Sequence, residues 1–241
     1  MTDYRVQIEK VHEIAASWGQ AVRTHRLQVP EGLSRRGEGP PSVVVGEDVG
    51  AELGNPGATS HAMVLTTAKK DLIEDGRVRC VGPDLDQAAD GTRSYAQVVM
   101  LSHNGATPPD PFDLETTQYL PNRLPGFMAR TVPGRLWVRF SKEALDNGFR
   151  LHTLGSALIA AFRMDFPALT GAEVLLATSK VDQLDQVAAE FKVLSGQHRK
   201  LVLVEDGVYD CEDLNCEECD DKNVCDALRD ITVRYRKGEG A

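Results

Sequence analysis

Apolar residues recur at three-to-four spacing across residues 4–27 (Val6, Ile8, Val11, Ile14, Ala15, Trp18 and Val22), which predicts one amphipathic helix. Residues 28–41, QVPEGLSRRGEGPP, interrupt that period with proline and glycine and read as a linker. Short β-branched runs at 42–45 and 61–66 then predict strands. Leu72-Ile73 and residues 77–81 flank Asp75-Gly76, the signature of a two-residue hairpin. Residues 95–102 form the strongest strand signal of this half. Residues 42–110 are therefore expected to make a β-rich unit, with residues 104–116 as a second proline-rich break. Gly46, Gly50, Gly54 and Gly57 do not have the spacing of a dinucleotide fingerprint and read as a turn-rich loop.

The rhythm changes in residues 111–205. Residues 117–130 look helical, interrupted by Pro121 and Pro125, and residues 136–140 read as a strand. Ser141 is placed to cap a short helix running to Asn147, with Gly148 as its stop. An apolar helix is expected at 153–166, ended by Pro167. A buried strand at 172–177, an amphipathic helix at 182–194 and a strand at 200–204 follow. Residues 226–229 start a short helix, and 231–235 alternate like an edge strand. Strands alternating with helices predict a βαβ-type layer with a partly parallel sheet. The expected fold class is thus α+β to α/β. It comprises an N-terminal helix and linker (1–41), a β-rich unit (42–110), an α/β unit (111–205) and a C-terminal four-cysteine metal loop (206–241).

The chain has 241 residues, enough for one large or two small cores, and a net charge of −9. That balance argues against nucleic acid or an anionic membrane as the main partner. The N-terminal residues carry charges throughout and do not resemble a signal peptide. No run approaches a membrane span. A cytoplasmic location is expected. Much of the acid is local: eleven carboxylates between Glu205 and Asp230 surround the cysteines, with Lys222 and Arg229 as the only bases there.

Four of the five cysteines, Cys211, Cys216, Cys219 and Cys225, lie within fifteen residues at C-x4-C-x2-C-x5-C spacing. Four thiolates so close in sequence converge on one metal with little loop-closure cost. Two disulfides, or four reduced thiols, are the alternatives, and disulfides belong to oxidising compartments. Structural zinc usually takes two C-x2-C-like pairs across a longer gap. Several short gaps in succession instead favour a [4Fe–4S] cluster, with zinc as the alternative. Surrounding carboxylates would disfavour adding an electron and lower the potential. They would also offer a docking face to a basic partner.

Arg123, Arg130, Arg135, Arg139 and Arg163, with Trp137, supply the donors and the aromatic surface that a phosphorylated, adenine-bearing ligand needs. Strand alternation would put Arg135, Trp137 and Arg139 on one face. The plain alternative is an exposed face of ordinary ion pairs. Cys80, inside RVRCVG, reads as a core thiol, and the six histidines show no paired metal-binding spacing.

Several blocks, VVVGEDVGAELGNPGATSHAMVLTT, IEDGRVRCVGPDLDQ, RLWVRFSKEALDNG and GSALIAAFRMDFPAL, resemble the beta subunit of the carbon monoxide dehydrogenase/acetyl-CoA synthase complex. The likeness runs over about residues 43–205, ahead of that family's nickel-bearing domain. It implies a cytoplasmic, anaerobic one-carbon or acyl-CoA metabolism. Its partners would be other protein subunits, including a corrinoid or redox protein. The resemblance also implies that the arginine-rich region meets coenzyme A or its thioester. In the family a C-x2-C pair and two further cysteines hold a [4Fe–4S] cubane bridged to nickel, whose other ligands include a Cys-Gly-Cys. Here Cys216 and Cys219 match the pair and Cys225 the third cysteine, while Cys211 stands upstream in place of the fourth. No Cys-Gly-Cys follows. The expectation is a cluster-bearing protein for electron transfer or docking that does not itself synthesise acetyl-CoA.

Overall fold

The structure, a computed structural model, describes residues 3–40, 42–87, 93–104, 110–132 and 135–198. The first 195 residues form one compact unit. Its centre is a five-stranded mixed sheet of order β1-β4-β8-β5-β3, built from Val22–Arg26 (β1), Ser60–Thr67 (β3), Arg77–Val81 (β4), Tyr95–His103 (β5) and Leu169–Ala177 (β8). β3 runs parallel to β5, and β4 parallel to β8; β5–β8 and β1–β4 are antiparallel. A second, three-stranded antiparallel sheet has the order β2-β7-β6, from Val49–Leu53 (β2), Phe127–Val132 (β6) and Arg135–Ser141 (β7).

Alternation along the strands sorts side chains between two apolar layers. Val78, Cys80, Val99, Leu101, Val174 and Leu176 face a core shared with helix α4 (Leu151–Asp165), with Leu114 of α2 (Pro111–Gln118) and with the inner face of the second sheet. Met63, Leu65, Val98, Met100, Leu175 and Ala177 face the opposite way. They pack against α1 (Arg5–Ser17) and α5 (Asp185–His198). Gly155 lets α4 lie on the sheet, because a Cβ there would come within 2.4 Å of a Val78 methyl. Cys80 is a core thiol as expected, and burial pushes it up to about 12.

The strands expected at 61–66, 95–102, 136–140 and 172–177 are present within β3, β5, β7 and β8, as are the helices at 153–166 and 182–194. Ser141 caps α3 (Lys142–Asp146) by accepting from the Ala144 N–H, and Gly148 follows it with φ +84°. Other expectations are corrected. The helix predicted over 4–27 stops at Ser17; Gly19 takes a positive φ and residues 22–26 become an edge strand on β4. No strand forms at 42–45; instead β2 begins at Val49, inside the glycine-rich stretch read as a loop. Asp75-Gly76 does not join two paired strands. The Asp75 carboxylate accepts from the Ala172 N–H and from Arg163, so this turn is pinned to β8 and α4. α2 starts at Pro111, capped by Asp110, within the proline-rich break, and residues 127–130 are strand rather than helix. The expectations at 200–204, 226–229 and 231–235 lie outside the described residues.

One charged cluster is buried on the α1 side of the sheet. Glu173 of β8 is fully enclosed and accepts from Arg77 Nε (2.8 Å) and Nη2 (2.9 Å), while Arg79 Nη2 lies 2.8 Å away. His12 of α1 joins it. Its Nε2–H donates to the Leu72 carbonyl at 2.8 Å, so Nδ1 is the acceptor for Arg79 Nη2 at 2.9 Å. Burial lowers the His12 pKa, reinforced by the two arginines and opposed by Glu173 and the Leu72 carbonyl; the net position is below 6.5. The unfolded chain therefore takes up this proton first. The stabilisation from neutral His12 is fully present above about pH 6.5 and is lost as pH falls through the lower folded value. We expect the thermal midpoint to fall between pH 7.5 and 5.5, and to fall less in His12→Gln. Identical pH slopes for the two proteins would contradict this role for His12.

Candidate ligand face on the second sheet

The inner face of the three-stranded sheet is apolar: Ala51, Leu53, Phe127, Leu136, Val138 and Phe140 are buried in the core. Alternation then sends Glu52, Met128, Arg130, Trp137 and Arg139 to the other face. The register makes them neighbours. Arg139 lies opposite Glu52 on β2 and opposite Met128 on β6, and Arg130 lies opposite Trp137. The Arg139 guanidinium sits 4.3 Å from the Trp137 ring centroid, and that of Arg130 at 5.8 Å. Both are within cation–π range.

Glu52 ties the face together. Its Oε2 accepts from Arg139 Nε at 2.7 Å and its Oε1 from Asn55 Nδ2 at 3.1 Å. Burial alone would raise this carboxyl. The hydrogen bonds from Arg139 and Asn55, with the Arg139 charge and the nearby Trp137 indole, outweigh it and hold Glu52 below its ordinary value. The indole N–H itself is buried and makes no hydrogen bond among the described residues. Gly54 seats the following turn tightly, since a Cβ there would lie 2.3 Å from the Leu136 carbonyl oxygen.

Of the residues singled out from the sequence, Trp137, Arg139 and Arg130 are brought together. Arg135 begins β7, and its side chain lies outside the described residues. Arg123 and Arg163 are engaged elsewhere. Arg123 is buried, donating to Asp165 Oδ2 at 2.7 Å and to the Ser34 carbonyl at 3.0 Å, so it fastens the 28–40 segment to the end of α4. Arg163 pairs with Asp75 at 2.7 Å. Cys211, Cys216, Cys219 and Cys225 lie outside the described residues. Among the described ones, no group of three or more metal-binding side chains converges, and no helix is long and apolar enough to cross a membrane. Glu52 was missed at the sequence level. The one available signal was its placement two residues before Gly54 in a strand-compatible VGAEL.

Elsewhere, a cleft of about 390 Å³ is lined by Pro40, Ser42, Val43, Leu124, Pro125 and the start of α3.

Comparison with known proteins places these elements in a wider set. Residues 37–182 match the model of a family described as the CO dehydrogenase/acetyl-CoA synthase complex beta subunit. The acetyl-CoA decarbonylase/synthase complex subunit beta of Methanothermobacter thermautotrophicus is 30% identical over 173 residues, covering 68% of this chain and 36% of that protein. The corresponding subunit of Methanopyrus kandleri is 27% identical over 210 residues, covering 84% and 44%. The carbon monoxide dehydrogenase/acetyl-CoA synthase subunit alpha of Moorella thermoacetica is 25% identical over 191 residues, covering 74% and 25%. The chain thus spans less than half the length of these relatives.

Proposed function

The chain belongs to the CO dehydrogenase/acetyl-CoA synthase complex beta subunit family, and from that membership we propose that it acts as a non-catalytic iron–sulfur component of a larger one-carbon or acyl-CoA enzyme complex. The observation that carries this reading is a conjunction. The family match ends at residue 182, and four cysteines follow at 211, 216, 219 and 225 within the same chain. The donor set fits a [4Fe–4S] cluster, which takes four thiolates. Cys211, Cys216, Cys219 and Cys225 would be its ligands, and the cluster would supply one-electron chemistry. The carboxylates flanking these cysteines would hold its potential low and present an acidic surface to a protein partner. Related proteins carry the name of complex subunits, which supports other protein subunits as the partners; we propose a corrinoid or redox protein among them.

The second element of the proposal is the face around Trp137. Arg139 and Arg130 beside an indole supply what a phosphate ester with an aromatic base requires, and coenzyme A or its thioester is the ligand we assign to it. Arg139 stacks on the indole, so the guanidinium groups favour phosphate recognition over base stacking on that side of the ring.

Reduction tests the electron-transfer role. Protein purified without oxygen should be coloured, and dithionite should bleach it reversibly. A colourless, redox-silent protein that loses local order on chelation would instead indicate a zinc-stabilised interaction module.

A further inference from the structure

We propose that the Glu52 carboxylate is an internal counter-ion that a phosphate-bearing ligand displaces from Arg139, so that Glu52 sets the affinity and charge selectivity of the Trp137 face. This deepens, and rests on, the reading of that face as a coenzyme A-type binding surface.

The argument starts from the inventory of charge. Arg139 gives its Nε–H to Glu52, but its two terminal nitrogens make no hydrogen bond among the described residues. Arg130 has no carboxylate partner among them and is exposed, its guanidinium 5.8 Å from the Trp137 ring centroid. The described part of the face thus holds two guanidinium groups and one carboxylate, paired with Arg139 alone, and carries a net positive charge.

A dianionic phosphate outcompetes a single carboxylate for such a pair, because it brings more charge and three acceptor oxygens. A monoanionic carboxylate ligand has no such advantage over Glu52. Occupancy of Arg139 by Glu52 thus discriminates by charge: it excludes small organic acids and admits phosphates.

Displacement is geometrically cheap on the Glu52 side. Asn55 holds the other carboxylate oxygen from a turn that fixes its own position, with Asn55 Oδ1 accepting from the Gly57 N–H at 3.1 Å and the Asn55 carbonyl from the Ala58 N–H at 2.9 Å. Glu52 released from Arg139 keeps that hydrogen bond. It is also partly solvent-exposed, with a quarter of its side chain accessible (26%), so its charge is not stranded.

The test is calorimetric titration of the full chain at low ionic strength with coenzyme A, inorganic pyrophosphate and acetate, using the wild type, Glu52→Gln and Arg139→Ala. The wild type is expected to bind the two phosphate ligands and not acetate. Glu52→Gln should bind the phosphates roughly five- to tenfold more tightly and lose part of the discrimination against acetate. Arg139→Ala should bind more weakly than the wild type. Glu52→Thr, which suits a strand and removes the charge, gives the same reading should the glutamine variant fail to fold.

If the wild type binds, Arg139→Ala weakens it and neutral Glu52 variants do not tighten it, the counter-ion inference is overturned while the ligand face stands. Binding that survives Arg139→Ala unchanged, or no binding by any of the proteins at millimolar ligand, overturns both. Binding gained only on neutralising Glu52, with none by the wild type, overturns the displacement, because Glu52 then blocks Arg139 against phosphate as well.

Discussion

Glu173→Ala should destabilise the folded unit by about 3–5 kcal/mol, the range for removing one partner from a buried ion pair. Glu173 sits at 0% exposure between Arg77 and Arg79, and also accepts from the Glu74 N–H at 3.1 Å. Without it, Arg79, itself 7% exposed, keeps its charge in the core with, among the described residues, only the neutral His12 ring as acceptor. Arg77 retains Glu74 and so loses less. The Arg79 Nε–H already lacks a partner among the described residues, so the cluster has no spare acceptor to absorb the loss. A double variant, Glu173→Leu with Arg79→Met, should recover much of the stability, because an apolar pair of similar volume carries no desolvation cost. Chemical denaturation of the three proteins decides the matter. A Glu173→Ala midpoint close to the wild type would show that Glu173 does not bear on the stability of this unit.

Cys219→Ser should abolish the visible absorbance of protein purified without oxygen. Cys219 closes the one tight C-x2-C pair with Cys216, and a serine hydroxyl is a much poorer iron ligand than a thiolate. Losing that ligand leaves one corner of a cubane without its anchor, and all of the cluster depends on the four corners together. Cys80→Ser should leave the absorbance intact. Its thiol is buried between the sheet and α4 and is held protonated by burial. Full absorbance in Cys219→Ser would rule out the four-cysteine assignment.

The parts of the fold legible in the sequence are those whose signal is local and apolar. β5 and β8 are largely apolar runs because both of their faces are covered, one by α4 and the other by α1 and α5. Ser141 and Gly148 bracket α3 by capping chemistry that acts within a turn. What was not legible depends on distant partners. β1, VRTHR, has no apolar alternation of its own and is a strand because it adds to the edge of β4. Asp75-Gly76 has the composition of a hairpin turn, yet its aspartate is captured by Arg163 and the Ala172 N–H, about ninety residues away in sequence. Just past the end of α2, Leu120 takes a left-handed conformation, φ +47°, where a glycine would have announced the stop.

The candidate face divides in the same way. Trp137 and Arg139 are two apart on one strand, so alternation alone placed them together. Arg130 and Glu52 join them through pairing with β6 and β2, which no local pattern encodes. Arg123 and Arg163 looked equivalent to Arg130 in sequence, and only their ion pairs with Asp165 and Asp75 remove them.

The measurement that bears most directly on the proposed function is iron, zinc and acid-labile sulfide analysis of the full chain purified without oxygen. About four irons and four sulfides per chain, with negligible zinc, is the predicted result. One zinc per chain and no sulfide would contradict it, and would leave the cysteine segment as a structural element of a docking protein.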